Sequence, residues 1–240
     1  MTAVIVRTLK QMWHRDLVDH PKTHAWVLNL YRLGERYPET VDDYFPSKHA
    51  PWPELAALFD RHRDDERRHE RMYARAITRM GQPVVELEGG LVFNHVIRSA
   101  TPVPWRVEPE DGPDARRLRV AHFCAHAHYL EKRIARSLAW HLDACERAHA
   151  DVAGAVVARV LEDEGRHVAY TEAAVTELVD RRTARDVLAL HRRAEAKANL
   201  AFSTNAVREC LRAHRDEMAM HHPLLWKLCA LVMQEAAERV

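Results

Sequence analysis

The sequence predicts an all-α chain, and three observations carry that expectation. Only seven glycines occur in 240 residues, whereas Ala, Leu, Arg and Glu, all strong helix formers, are abundant. Apolar residues recur at three- and four-residue spacings over long stretches, the signature of amphipathic helices. Within two of those stretches one five-residue pattern is repeated 98 positions apart, as Asp65-Glu66-Arg67-Arg68-His69 and Asp163-Glu164-Gly165-Arg166-His167. With 47% hydrophobic residues in a chain of this length, a single domain spanning 1–240 is expected.

The elements follow in order. An N-terminal helix is expected over about 3–19, stopped near Pro21. A second runs from about 22 to 36, with a kinked continuation towards 44 if it survives Pro38, because an interior proline removes a backbone hydrogen bond. Phe45–Pro53 holds three prolines and reads as a turn. A third helix covers about 53–80, with Gly81 as its stop signal. Residues 82–112 carry Gly, Pro and β-branched residues without long periodicity and read as a long crossover between two helix pairs. Helices over about 113–147 and 150–179 form the second pair, so the bundle core is expected at about 22–180. Two accessory helices, about 183–214 and 222–239, follow.

The repeated pattern carries the chemistry. Residues three apart share a helix face, so each copy aims a carboxylate and an imidazole at one point. Both pairs interrupt apolar stripes: Glu164 and His167 fall between Val160 and Thr171, and Glu66 and His69 between Phe59 and Tyr73. Charged groups on a core face are costly unless paired or metal-bound. Two such helices, each facing another that carries a lone Glu, supply the ligands of a di-metal carboxylate site. Glu131 interrupts the stripe of its own helix and lies 33 residues before Glu164. Upstream of Glu66, Glu35 lies 31 residues before it and Glu39 lies 27 before it. The two differ by one helical turn, about 5.4 Å in height. Glu35 is the better match in spacing, with Glu39 the alternative because of Pro38.

This order (acid, Glu-x-x-His, acid, Glu-x-x-His) resembles the ferritin-like non-haem di-iron carboxylate superfamily over roughly residues 22–180. The full Asp-Glu-x-Arg-His form is most similar to the multicomponent monooxygenases. The tail Asp163-Glu164, His167, Tyr170, Glu172-Ala173 also resembles the aldehyde-deformylating oxygenases. The resemblance implies a ferritin-like four-helix bundle with added N- and C-terminal helices. It implies two Fe ions, or a mixed Mn/Fe pair, held by Glu35, Glu66, His69, Glu131, Glu164 and His167. Asp65 and Asp163 would accept the imidazole N–H groups and fix ring orientation. His62, four before Glu66, and His128, three before Glu131, are further ligand candidates. Tyr73, four after His69, takes the spacing of a radical tyrosine but reads foremost as an aromatic packed near the site. Arg68 and Arg166 are expected to tie the second carboxylates.

The implied activity is an O₂-activating oxidase or oxygenase acting on a small organic substrate, with an electron donor of unspecified kind. The alternatives are a ferroxidase or peroxide-detoxifying protein, an RNA-modifying hydroxylase of the same fold, and a metal-dependent structural bundle. A formal net charge of +1 supplies no field that favours nucleic acid. The four cysteines (124, 145, 210, 229) are widely spaced, which argues against a rubredoxin-type iron centre and against disulfides. No signal-peptide run opens the sequence, and Leu224–Met233 is broken by Lys227 and too short to span a bilayer, so a cytoplasmic location without membrane contact is expected. His122 and His126 read as a polar flank, and Arg181, Arg182, Arg185, Arg192 and Arg193 as solvated faces. Met218, Met220, Trp226 and Met233 read as core or as the contact of a homodimer.

Overall fold

A computed structural model of the chain describes residues 2–218 and 222–238. It is all-helical over the described residues. The long helices are α1 (Thr2–Val18), α2 (Pro21–Arg36), α3 (Pro53–Arg79), α5 (Pro113–Arg147), α6 (Asp151–Leu178), α7 (Arg181–Ala213) and α9 (Pro223–Glu238), with the short α4 (Phe93–Ala100) inside the long crossover from α3 to α5 and the short α8 (Arg215–Met218) between α7 and α9.

Local chemistry sets the ends. Proline stands at the first helical position of α2, α3, α5 and α9, where its missing N–H costs nothing. Asp180 caps α7 by accepting from the backbone N–H groups of Arg182 and Thr183. Gly81 ends α3 with φ of 69°, a left-handed conformation that a side chain resists.

Two findings depart from expectation. The α-helical part of α2 stops at Arg36, and Tyr37–Thr40 continues as one 3₁₀ turn. The tighter 3₁₀ hydrogen bonding accommodates Pro38 without a long kinked helix. The crossover also contains α4, which is too short for its periodicity to stand out in the sequence.

The packing is two hairpins, α2 with α3 and α5 with α6, joined by contacts of α3 with α6. Helix α1 lies on α5 and α2, and α7 lies on α4, α5 and α9. The buried stripe of α3 runs Leu55, Phe59, His62, Glu66, His69, Tyr73, Ala76, Ile77. Its spacing is helical throughout, so the polar members occupy core positions. Phe59, Phe123 and Val175 form one apolar cluster, and Leu28, Tyr73, Ile77, Leu138 and Val160 another. The polar residues fall between these two clusters along α3, α5 and α6. A third cluster joins α1, α2, α7 and α9 around Leu17, Trp26, Val207 and Trp226, with Met233 packed against it. Met220 and the side chain of Met218 lie outside the described residues. No helix among the described residues is long and apolar enough to cross a membrane.

Candidate metal centre

Four helices each place carboxylate or imidazole atoms in one buried volume. Helix α2 contributes Glu35, α3 contributes His62, Glu66 and His69, α5 contributes Glu131, and α6 contributes Glu164 and His167. All seven are buried. Ligand atoms of Glu35, Glu66, His69 and Glu164 lie within 4.8 Å of one another. So do those of Glu131, Glu164 and His167, and those of His62, Glu66 and His167. Glu164 and Glu66 each belong to two of these groups, which makes one two-centred site of them.

The ring orientations are set from behind. His69 turns Nδ1 towards Glu35 Oε2 at 3.2 Å and Glu164 Oε1 at 3.7 Å, while its Nε2–H donates to Asp163 Oδ2 at 3.0 Å. His167 turns Nδ1 towards Glu164 Oε2 at 2.9 Å, and its Nε2–H donates to Asp65 Oδ2 at 3.2 Å. The support is therefore crossed: the aspartate of each repeat holds the histidine of the other. Arg68 bridges Asp65 and Asp163 at 2.6 Å each, and Arg166 reaches Asp163 at 2.5 Å and Asp65 at 3.4 Å. Each arginine thus neutralises both aspartates and ties α3 to α6.

His62 presents Nε2 at 3.4 Å from both Glu66 Oε1 and Glu131 Oε1, and its ring stacks on His167 with centroids 3.6 Å apart. In the tautomer that leaves Nε2 free, Nδ1–H donates to the Tyr170 hydroxyl at 2.7 Å. The structure brings Glu35 into the group rather than Glu39, which is exposed and paired with Arg67. His128 turns away, its Nδ1 at 3.2 Å from the Val168 carbonyl. Tyr73 is fully buried beside the group, its ring 5.7 Å from Tyr31, and belongs to none of the ligand clusters. Arg159, 3.1 Å from Asp163, is a member that the sequence reading missed, although its i, i+4 spacing was a readable signal.

The electrostatics are those of an anionic cage. Burial and the neighbouring Glu35, Glu131 and Glu164 push the Glu66 carboxyl well above the usual range. Burial and Glu131 push Glu164 up to about 8. Burial alone would lower both motif histidines, yet Glu35 and Glu164 raise His69 to about 9, and Glu164 and Asp65 raise His167 to about 10. Burial holds His62 down to about 4 and so keeps it neutral. Asp65 and Asp163 stay low despite burial, because histidine and arginine donors face them. Protons are thus favoured on Glu66, Glu164, His69 and His167, whereas Glu131, facing His62 and His167, and the two aspartates are held low.

The residues fit a pair of divalent cations on two grounds. His62 Nε2, Glu66 Oε1 and Glu164 Oε1 are buried without hydrogen-bond partners, and all three belong to the convergent groups. Four carboxylates also balance the charge of two divalent ions. An oxygen-rich donor set with imidazole suits iron or manganese. Compared with known proteins, the chain matches no family model, no curated protein and no solved structure.

Proposed function

We propose that the chain is an O₂-activating non-haem di-iron oxidase or oxygenase acting on a small organic substrate, built on a ferritin-like four-helix bundle. The observation that supports this best is the set of three buried, overlapping carboxylate–imidazole groups linked through Glu66, Glu164 and His167. Glu35 and His69 would hold one ion, Glu131 and His167 the other, with His62 adding a nitrogen near Glu66 and Glu131. Bound Fe(II) supplies the electrons that O₂ reduction requires.

The chain's own residues do the rest. Asp163 and Asp65 hold the two imidazoles in the tautomer whose Nδ1 is free to ligate. Arg68, Arg159 and Arg166 keep those aspartates ionised by hydrogen bonds and charge. Phe59, Phe123 and Tyr73 pack around the site and exclude water. Tyr170 fixes His62.

Anaerobic titration with Fe(II), followed by O₂, tests the proposal. The expected result is two irons per chain and O₂ uptake coupled to Fe(II) oxidation. Binding well below two irons, or loaded protein that leaves O₂ untouched, overturns it.

A further inference from the structure

A cavity of about 90 Å³ is lined by Glu35 together with Gly34, Asn94, Arg133 and Phe202. It shares Lys10, Tyr31, Phe202 and Ser203 with a larger apolar groove of about 500 Å³ between α1, α2, α7 and α9. The mouth of that groove lies at the exposed Val6, Leu228 and Val232. The two volumes adjoin at Lys10, and the smaller is also lined by Glu35 of the candidate metal centre.

Three charged side chains line the two volumes: Lys10, Arg133 and Glu35. Arg133 is neutralised by Glu195 on α7. Lys10 is not: its ammonium donates to Ser203 Oγ at 3.1 Å, and no carboxylate among the described residues lies within ion-pairing distance of it. Lys10 is half-buried, and a cation held against apolar walls without a carboxylate partner is a ready binding group for an anion. Burial and the charge of Arg133 push Lys10 down to about 8, so the group is still mostly protonated at pH 7.

Taking the metal centre as their reactive end, and so resting on the reading above, we infer that these adjoining volumes bind an amphipathic monocarboxylate. The carboxylate sits on Lys10 Nζ and Ser203 Oγ, and the alkyl or aryl body lies in the groove lined by Trp13, Trp26 and Trp226. Because Lys10 lines both volumes, the carboxyl end lies where the groove meets the smaller cavity, held by the ammonium and not by the carboxylate of Glu35. A neutral alcohol of the same length lacks the charge that Lys10 needs, and an amine meets a like charge.

The test is calorimetric titration of the full-length, iron-free protein with octanoate, octan-1-ol and octylamine. Octanoate is expected to bind at least about tenfold more tightly than either analogue, a margin typical of a partly buried charge-assisted contact. Lys10→Met should lose that preference while keeping helicity, and with an unpaired cation removed its melting temperature should not fall. Ser203→Ala should weaken octanoate only and leave octan-1-ol unchanged. Equal binding of octanoate and octan-1-ol by the wild type, no octanoate binding, or an unchanged preference in Lys10→Met each overturns the inference. Because no iron is present, these outcomes are independent of the oxygenase reading: iron titration can fail while octanoate binds, and the reverse.

Discussion

Glu164 joins both halves of the site, since its carboxylate falls within reach of His69 on one side and Glu131 and His167 on the other. Glu164→Ala is therefore expected to abolish binding of both irons, and metal analysis after Fe(II) loading and desalting checks it; two retained irons would remove its bridging role. Glu35 and Glu39 make a sharper contrast. Glu35→Ala should lose one iron, whereas Glu39→Ala, which only frees Arg67 at the surface, should keep both. The crossed aspartates give a third expectation. Asp163→Ala and Asp65→Ala should each weaken metal affinity by about 10–100-fold, the range seen when an orienting partner of a metal-binding histidine is removed. Asp163→Ala should disturb the ion at His69, and Asp65→Ala the ion at His167, despite lying in the opposite repeats. Wild-type affinity in both variants would show that the arginines alone set the ring positions.

At the scale of elements, the helices are placed by their ends as much as by their faces. Helix α3 holds three of the seven convergent groups, and its C-terminal stop is Gly81 with positive φ. A Cβ at Gly81 meets nothing within 4 Å, so Gly81→Ala carries the backbone cost alone. That cost is about 1 kcal/mol for a left-handed L-residue, and a urea titration should show it as a lower midpoint with an unchanged slope. An unchanged midpoint would mean that the turn relaxes. The ends of the helices were readable from proline and glycine. The 3₁₀ turn after Arg36 was not, because Pro38 is compatible with a kink, a stop or a tighter turn, and only packing against neighbours selects among them.

Two expectations belong to the whole molecule. Each ion bound only by the folded state stabilises it by mass action, about 4 kcal/mol when free metal is a thousandfold above that site's dissociation constant. Thermal melts with and without Fe(II) or Mn(II), run anaerobically, should show that rise, and its absence would count against a preformed site. The second concerns acid. His191 is buried and held down to about 3 by burial and by His122, whose Nδ1 lies 3.0 Å from it. His126, stacked on Trp105 and facing Arg98, lies well below its ordinary value for the same reason of burial. Both are neutral in the fold and protonated in the unfolded chain below about pH 6.5. The unfolded state then binds more protons, so stability falls as pH drops from 6.5 towards 3, by up to about 1.4 kcal/mol per pH unit for each such histidine. Urea midpoints at pH 7.5 and 5.5 should differ in that direction, and His191→Gln should reduce the difference; an equal pH dependence in the variant would assign the effect elsewhere.

The sequence by itself determined the helices and the doubled Glu-x-x-His pairs, because both depend on spacing within one segment. A carboxylate and an imidazole three residues apart inside an apolar stripe face inward wherever the helix is packed. Residues 82–112 read only as a crossover, since short helices such as α4 are stabilised by tertiary contacts and not by their own periodicity. What only the tertiary structure decided are relations between segments: Glu35 in place of Glu39, the aspartate of one repeat on the histidine of the other, His62 turned inward and His128 turned away. The pairing of Lys10 with Ser203 spans 193 residues, and the cavity that it faces is bounded by several helices. A distance set by the packing of helices far apart in sequence leaves no periodic trace along the chain, so these contacts exist only in the folded molecule.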